Sequence, residues 1–204
     1  MSRASVDIRK GDITRVKAAA IVNPSNTTGA MVEGVSLTIR RAGGQAIEDE
    51  AIAEAPIPVG MAVATTAGSL PFRYVIHAVS MKRPRQRIPP ENIAEATRAA
   101  IETADRLGCE SLAIPDLGVR MGKVSPADAA RAMLDALAAA KTTTLRHVVL
   151  IDADKRLYEA WRKARHREDD DGEHPHGGPG ERRLPRTQAP SRRRNRNRSF
   201  GYGR

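Results

Sequence analysis

Three short segments of this 204-residue chain place small or polar residues directly after apolar runs. Their sequences are Gly-Asp-Ile-Thr at 11–14, Asn-Pro-Ser-Asn-Thr-Thr-Gly at 23–29 and Pro-Asp-Leu-Gly-Val-Arg-Met-Gly-Lys at 115–123. In α/β folds, ligands bind at the loops that follow the strands. A glycine ahead of a helix lets backbone N–H groups approach a phosphate, and the helix dipole favours the anion. Together the three segments indicate a site for a phosphate-bearing ligand.

Each segment taken alone also fits a purely structural role. Asp12 could cap a turn, Asn26 could form an Asx turn, and the glycines could mark helix ends. His77 lies inside an apolar run, where a hydrogen-bonded structural histidine is expected. Cys109 precedes another apolar run and is expected to be a buried, inert thiol. Single residues therefore leave both alternatives open.

Neither a metal nor a cofactor is predicted. No grouping of His, Cys and acidic residues in the sequence has metal-ligand spacing. Because Cys109 is the single cysteine, an intramolecular disulfide and a cysteine-based zinc site are both excluded.

The elements that must position the three segments follow from the apolar pattern. Continuous apolar runs predict strands at 18–22, 61–67, 74–79, 111–114 and 147–151, with a short strand before Gly11. Apolar residues at helical spacing predict helices at 91–107, 126–141 and 155 to about 164. Ser125 and Pro126 mark one helix start as an N-cap and a first-turn proline. Alternating strands and helices predict a three-layer α/β domain whose sheet is covered on both faces.

The composition changes after residue 165. Acids cluster at 168–173, and 182–204 holds nine arginines and no acid, within a chain whose formal net charge is +10. Such sequence buries too little apolar surface to fold, so we predict a domain at 1–165 and a disordered tail at 166–204. Arginines with Phe200 and Tyr202 predict that 182–204 binds RNA or DNA, and the alternative is a solubilising tail.

The sequence holds no signal-like apolar segment at its start and no run approaching 18 apolar residues. We therefore expect a soluble, cytoplasmic protein without a membrane partner.

Five segments, in this order, resemble the macro domain family. They are the residues 11–14, Ala-Ile-Val-Asn-Pro-Ser-Asn at 20–26, Val-Ser-Leu-Thr-Ile-Arg-Arg-Ala-Gly-Gly at 35–44, and the longer stretches 57–79 and 111–134. The resemblance extends over about 6–163. It implies an α/β/α fold with a mixed, mostly parallel sheet, and a cleft for ADP-ribose or an ADP-ribosylated protein.

The resemblance also implies a role for each matching residue. Asp12 would accept a hydrogen bond from the adenine amino group, with Ile13 packing nearby. Asn26 would contact the distal ribose and is the single candidate catalytic residue. The diphosphate would be lined on one side by Gly34 and Val35. A second phosphate loop would comprise Gly118, Val119, Arg120, Met121 and Gly122.

Several residues depart from the family pattern. Ser36 stands where many members carry a carboxylate, and Glu33 adds a negative charge to the phosphate-facing turn. Val124 and Ala153 replace aromatic residues expected near the second phosphate loop and the adenine. Arg120 replaces a glycine. Its guanidinium either points towards the diphosphate and replaces lost N–H contacts, or pairs with Glu33 and closes the cleft.

These features lead to three hypotheses for function. The first is a module that binds ADP-ribose or a related nucleotide. The second is an enzyme that removes ADP-ribose from proteins or deacetylates O-acetyl-ADP-ribose, using Asn26 and a substrate-bound water. The third is a degenerate macro domain that binds RNA or DNA through its basic tail and a basic face.

Overall fold

A computed structural model of the protein describes residues 2–172, and side chains up to residue 166. The tail predicted to bind nucleic acid at 182–204 lies outside the described residues. The elements are β1 Ser5–Lys10, a 3-10 helix Ile13–Arg15, β2 Ala20–Asn26, α1 Gly34–Gly43, α2 Ala46–Ala53, β3 Ala62–Thr65, β4 Tyr74–Met81, α3 Pro90–Arg106, β5 Ser111–Ile114, α4 Pro126–Ala139, β6 His147–Asp152 and α5 Lys155–Gly172.

The strands form one sheet in the order β1-β6-β5-β2-β4-β3. Every neighbouring pair is parallel except β3 and β4, which are antiparallel. Helices α1 and α2 pack on one face, and α3, α4 and α5 pack on the other. This arrangement confirms the predicted three-layer α/β fold with a mixed, mostly parallel sheet.

Alternate residues of the central strands supply two separate cores. In β2, Ala20 and Val22 face the core under α3–α5, whereas Ile21 faces the core under α1 and α2. In β5, Ile114 faces the core under α3–α5 and Ala113 faces the core under α1 and α2. Because both faces are buried, the strands need apolar residues at successive positions, which explains the continuous apolar runs in the sequence.

The helix boundaries follow local signals in part. Helix α4 begins at Pro126 as predicted, and the Ser125 hydroxyl accepts a hydrogen bond from the Asp128 N–H at 3.1 Å. Helix α5 buries Leu157 and Trp161 and runs to Gly172, past the predicted end near 164. It therefore crosses the predicted domain boundary at 165/166.

The segment 23–26 is not the turn that its Asn, Pro and Ser residues predicted. It forms the second half of β2 and pairs with β4 through Asn26. Strand β5 pairs with β2 at Ala20 and Ile21 alone, so at Pro24 strand β2 is paired with β4 but not with β5. A strand that is paired on one side tolerates a proline, which has no N–H to donate.

Within residues 2–172, no helix combines the length and the apolar composition needed to cross a membrane.

Candidate functional site

The parallel strands bring the three predicted segments to one edge of the sheet. Residues after β1, β2, β5 and β6 line two adjoining clefts there. The wider cleft, about 380 Å³, is lined by 11–13, Thr38, Pro115 and 151–153, and the narrower, about 50 Å³, is lined by 24–26, Met81, 116–118 and Met121. Gly34, Val35 and Arg120 line both clefts.

Most of the predicted ligand-binding residues line these clefts, and two do not. Val119 lines a separate cleft, and Gly122 lines neither of these two. Gly122 is packed against the protein instead, because a Cβ there would lie 2.6 Å from the Ile88 side chain. This packing requires a residue without a side chain at position 122.

Asp12 combines the two roles that the sequence left open. One carboxylate oxygen accepts hydrogen bonds from the N–H of Thr14 at 2.9 Å and its hydroxyl at 2.8 Å, which caps the 3-10 helix. The other oxygen has a long contact of 3.8 Å to Arg15 Nε. Since the side chain is 46% exposed at the wider cleft, that second oxygen remains available to a ligand.

The Asn26 side chain forms the Asx turn that was the structural alternative. Its Oδ1 accepts hydrogen bonds from the Thr28 N–H at 2.9 Å and from the Thr28 hydroxyl at 2.6 Å. The amide nitrogen makes a longer bond of 3.4 Å to the Ala30 carbonyl. Asn26 is nearly buried against the narrower cleft, so its amide can offer a donor there but no free acceptor.

The N-terminus of α1 lies between the two clefts. Glu33 precedes the helix without capping it by its side chain, and Gly34 has a φ of +63°, which a glycine adopts without strain. The first N–H groups of an uncapped helix point out of its N-terminus and attract anions. The Ser36 hydroxyl donates to the Pro24 carbonyl at 2.9 Å, which fixes the helix against β2.

Glu33 pairs with Arg85, not with Arg120. Its carboxylate accepts a hydrogen bond from Arg85 Nη2 at 2.8 Å. The suggested Glu33–Arg120 pair across the cleft is therefore wrong for this structure. The pairing with Arg85 also balances the negative charge that the sequence placed in the phosphate-facing turn.

The buried carboxylate of Asp116 holds the loop that was predicted to cradle phosphate. It accepts hydrogen bonds from the N–H groups of Gly118 at 2.8 Å, Val119 at 2.7 Å and Arg120 at 3.0 Å. These three amides, which the sequence assigned to a phosphate, already have an internal acceptor. The Asp-x-Gly spacing at 116–118 is typical of such a turn and was the signal available in the sequence.

Arg120 connects the ends of β5 and β6. Its Nη2 donates to Asp152 at 2.8 Å, and its Nε lies 3.5 Å from Asp116. Asp152 is buried and also accepts the Asp154 N–H at 2.8 Å. The Arg120 side chain remains 40% exposed and lines both clefts.

Glu48 of α2 anchors the loop before α1, a role that the sequence did not predict. It is almost fully buried and accepts hydrogen bonds from the Met31 N–H and from the Arg40 and Gln45 side chains. Burial raises its pKa, but these bonds outweigh it and hold the pKa below its usual value. Because three acids follow one another at 48–50, no local pattern distinguishes this one.

His77 and Cys109 have the structural roles that were predicted. His77 is buried, with Nδ1 3.0 Å from the Asn23 amide and Nε2 2.9 Å from the Thr65 hydroxyl. Burial lowers the pKa of His77 to about 4, despite the nearby Glu50 carboxylate, so the ring is neutral at pH 7. Burial raises the pKa of the Cys109 thiol, which keeps it protonated and unreactive.

These features define a three-layer α/β domain with its candidate site at the carboxyl ends of parallel strands. Residues 22–133, more than half of the chain, match the family model of the macro domain. The chain belongs to the macro domain family, as the order of its motifs predicted.

Three similar proteins illustrate the relationship. A protein of Aquifex aeolicus is 46% identical over 158 residues, which cover 78% of this chain and 96% of that protein. The Oceanobacillus iheyensis macrodomain with ADP is 20% identical, with a TM-score of 0.73 over 83% of this chain and 94% of that one. The Trypanosoma brucei macrodomain in complex with ADP-ribose is 21% identical, with a TM-score of 0.69 over 78% of this chain and 68% of that one. The two structures share the fold.

Proposed function

We propose that this macro domain binds ADP-ribose or a closely related nucleoside diphosphate in the paired clefts. The observation that carries the proposal is the uncapped N-terminus of α1, where Gly34 and Val35 line both clefts. A diphosphate there would meet free N–H groups and the positive end of the helix dipole. Macrodomains of the same fold have been solved with ADP and with ADP-ribose, which supports this ligand class.

The adenine is assigned to the wider cleft. Its amino group would donate to the Asp12 carboxylate oxygen that does not cap the 3-10 helix. No aromatic side chain lines this cleft in the described part of the chain, so the ring would contact the aliphatic side chains of Ile13, Val35 and Ile151. Such contacts bury the adenine without stacking it on an aromatic side chain. Stacking of that kind contributes about 1–3 kcal/mol per base in proteins that have it.

The diphosphate is assigned to the α1 N-terminus and the Arg120 guanidinium. The amides of Gly118, Val119 and Arg120 do not contribute, because Asp116 accepts all three. Arg120 can donate to a phosphate through N–H groups beyond those directed at Asp152 and Asp116. The distal ribose then falls in the narrower cleft, beside the Asn26 amide.

Binding is proposed ahead of hydrolysis because of the carboxylates in the narrower cleft. Among the residues that line it, Glu33 is paired with Arg85 and Asp116 accepts three amides, so neither is a free base. Asn26 has no titratable proton. Removal of ADP-ribose or of an acetyl group would therefore depend on a water activated by the substrate itself.

Calorimetry with ADP-ribose tests this proposal. Val35→Glu places a carboxylate at the α1 N-terminus, where an acid suits the helix but would repel a diphosphate. We expect affinity to fall by about tenfold or more, since close like charges repel by about 1–4 kcal/mol in this environment. Ile52→Glu, an exposed apolar residue outside both clefts, is the matched control and should bind like the unmodified chain. Equal affinities for the two variants, or no heat with the unmodified chain, would refute the proposal.

A further inference from the structure

A third cleft, about 530 Å³, borders the same loop 118–124 and is lined by cations. Its charged residues are Arg87, Arg120, Lys123, Arg156 and one acid, Asp128. We call this cleft the basic cleft. Arg120 lines it as well as the two nucleotide clefts, so the three are neighbours.

Among the side chains that the structure describes, two cations of the basic cleft have no acidic partner. Arg156 forms a salt bridge with Asp154 at 2.9 Å, and the Asp128 carboxylate accepts a hydrogen bond from the Ser125 hydroxyl at 2.7 Å. Arg87 and Lys123 are exposed, and neither forms a salt bridge with any acid in the part of the chain whose side chains are described. Their charges are therefore available to an external anion.

Two basic residues at this edge have a positive φ, a backbone conformation that favours glycine. Within residues 2–172, the non-glycine residues with positive φ are Arg85 at 62° and Lys123 at 54°. Lys123 borders the basic cleft, and Arg85 belongs to the exposed loop 82–87, Lys-Arg-Pro-Arg-Gln-Arg, which reaches the cleft at Arg87. Side chains kept at strained positions concentrate at functional sites.

We propose that the basic cleft and loop 82–87 bind the phosphates of a single-stranded nucleic acid. Cations spaced along one edge match successive phosphates, and counterion release makes such binding favourable. No aromatic side chain lines the cleft among the described residues, so contacts would go to the backbone and not depend on sequence. A positively charged groove that follows the phosphate backbone is the arrangement by which proteins bind single strands without sequence preference.

An acidic peptide fits the basic cleft less well. Peptides gain specificity from side chains that enter apolar pockets. Ile88 and Val124 of the cleft are buried by their own packing, and only Pro90, Val119 and Pro126 leave part of their apolar surface exposed there. The exposed charges therefore favour a ligand recognised mainly through charge.

The test is the salt dependence of binding to a short fluorescent oligouridylate, measured by anisotropy with the full chain. Arg87→Gln/Lys123→Gly removes the charges of these two residues, and glycine suits the positive φ at 123. The matched control is Arg98→Gln/Arg106→Gln on α3, which also removes two positive charges, beside Glu102 and Asp105. Both variants keep the arginines of 182–204. We expect the slope of log affinity against log salt to fall by about 1.4 for the first variant, about 0.7 per lost phosphate contact. The α3 variant should keep the original slope.

Three outcomes would overturn the proposal. Equal losses in both variants would show that total charge governs binding. An unchanged slope in the Arg87/Lys123 variant would place the contacts elsewhere. Equally strong binding of poly-glutamate, with the same sensitivity to that variant, would identify a general polyanion surface. The proposal does not depend on nucleotide binding, because Arg87 and Lys123 line neither nucleotide cleft. ADP-ribose calorimetry should therefore give the same result for the Arg87/Lys123 variant and for the unmodified chain.

Discussion

At the scale of single residues, two buried aspartates determine which groups face the clefts. Asp116 occupies three amides of the loop 118–120, and Asp152 holds the Arg120 guanidinium. The guanidinium and the α1 N-terminus are then the principal positive groups beside the shared part of the clefts. The proposed recognition of phosphate would therefore depend on the guanidinium and the α1 N-terminus more than on the backbone of loop 118–122.

Arg120→Ala should lower both stability and affinity. Without the guanidinium, two nearly buried carboxylates lose their shared partner, which costs about 3–5 kcal/mol for a fully buried pair. Because Arg120 is 40% exposed, we expect solvent to reduce the loss to about 1–3 kcal/mol. Urea denaturation measures this loss, and calorimetry should show weaker ADP-ribose binding. Arg131→Ala, an exposed arginine of α4 outside both nucleotide clefts, is the control. Tighter binding by the Arg120 variant would mean that the side chain obstructs the cleft.

Asp12→Ala should weaken ADP-ribose binding through the loss of the adenine acceptor. A hydrogen bond to a charged group contributes about 1.5–3 kcal/mol, so affinity should fall by about tenfold or more. The loss of the Thr14 cap should cost about 1 kcal/mol of stability as a separate effect. Ribose 5-phosphate, which lacks the adenine, serves as the comparison ligand. If its affinity falls as much as that of ADP-ribose, Asp12 acts through the loop and not through the base.

The sequence located these residues better than it located their partners. Asp12, Asn26 and Arg120 lie where the motifs placed them, at the carboxyl ends of parallel strands. The capture of three amides by Asp116 depends on the folded path of the loop, which residue types alone do not specify. The pairing of Glu33 with Arg85 joins residues 52 positions apart, and no local pattern indicates it.

At the scale of elements, the buried strands and the long helices α3, α4 and α5 were predicted, whereas α2 was not. The apolar runs of β4, β5 and β6 identify them because both of their faces are covered. Helix α2 carries three successive acids and buries Ile47 and Ala51 on its inner side, so its apolar stripe is too short to recognise. The turn residues of β2 were misleading, because pairing with β4 outweighs their local preference.

Asp105, near the C-terminal end of α3, should make stability depend on acid pH. Its carboxylate accepts the N–H groups of Thr143, Thr144 and Leu145 ahead of β6. Burial raises its pKa, but these bonds outweigh it and lower the pKa from 3.8 to about 2. A carboxyl whose pKa is lower in the folded state stabilises the fold above the unfolded value. That contribution should disappear as the pH falls from about 4 to about 2.

The comparison of Asp105→Asn with the unmodified chain isolates this effect. Urea denaturation at several pH values should show a free energy of unfolding that falls less steeply in the variant over that range. Near pH 7 the variant should be the less stable protein, because the amide oxygen is a weaker acceptor for three N–H groups. Parallel pH profiles for the two proteins would show that Asp105 does not contribute to the acid dependence.

At the scale of the whole molecule, the two helical layers contribute unequally. Helices α3, α4 and α5 cover the larger core, whereas α1, α2 and the 3-10 helix cover the smaller core next to the clefts. The candidate site borders the thinner layer, where the α1 N-terminus and short loops can reach a ligand. The basic cleft, beside the start of α4, extends the charged edge towards the thicker layer.

The chain up to residue 173 should be as stable as the full chain. Residues 1–173 form one compact unit, and the buried side chains of the described part lie between Ile13 and Trp161. A stop after residue 173 removes none of them, so the melting temperature should change by less than about 2 °C. That shift corresponds to a change of less than about 1 kcal/mol in the free energy of unfolding. A stop after residue 160 removes the fully buried Trp161, which should cost about 3–5 kcal/mol and lower the melting temperature by about 6–20 °C. Circular dichroism melts measure both chains. A fall of many degrees for the longer one would show that 174–204 packs on the domain, contrary to the tail predicted from its composition.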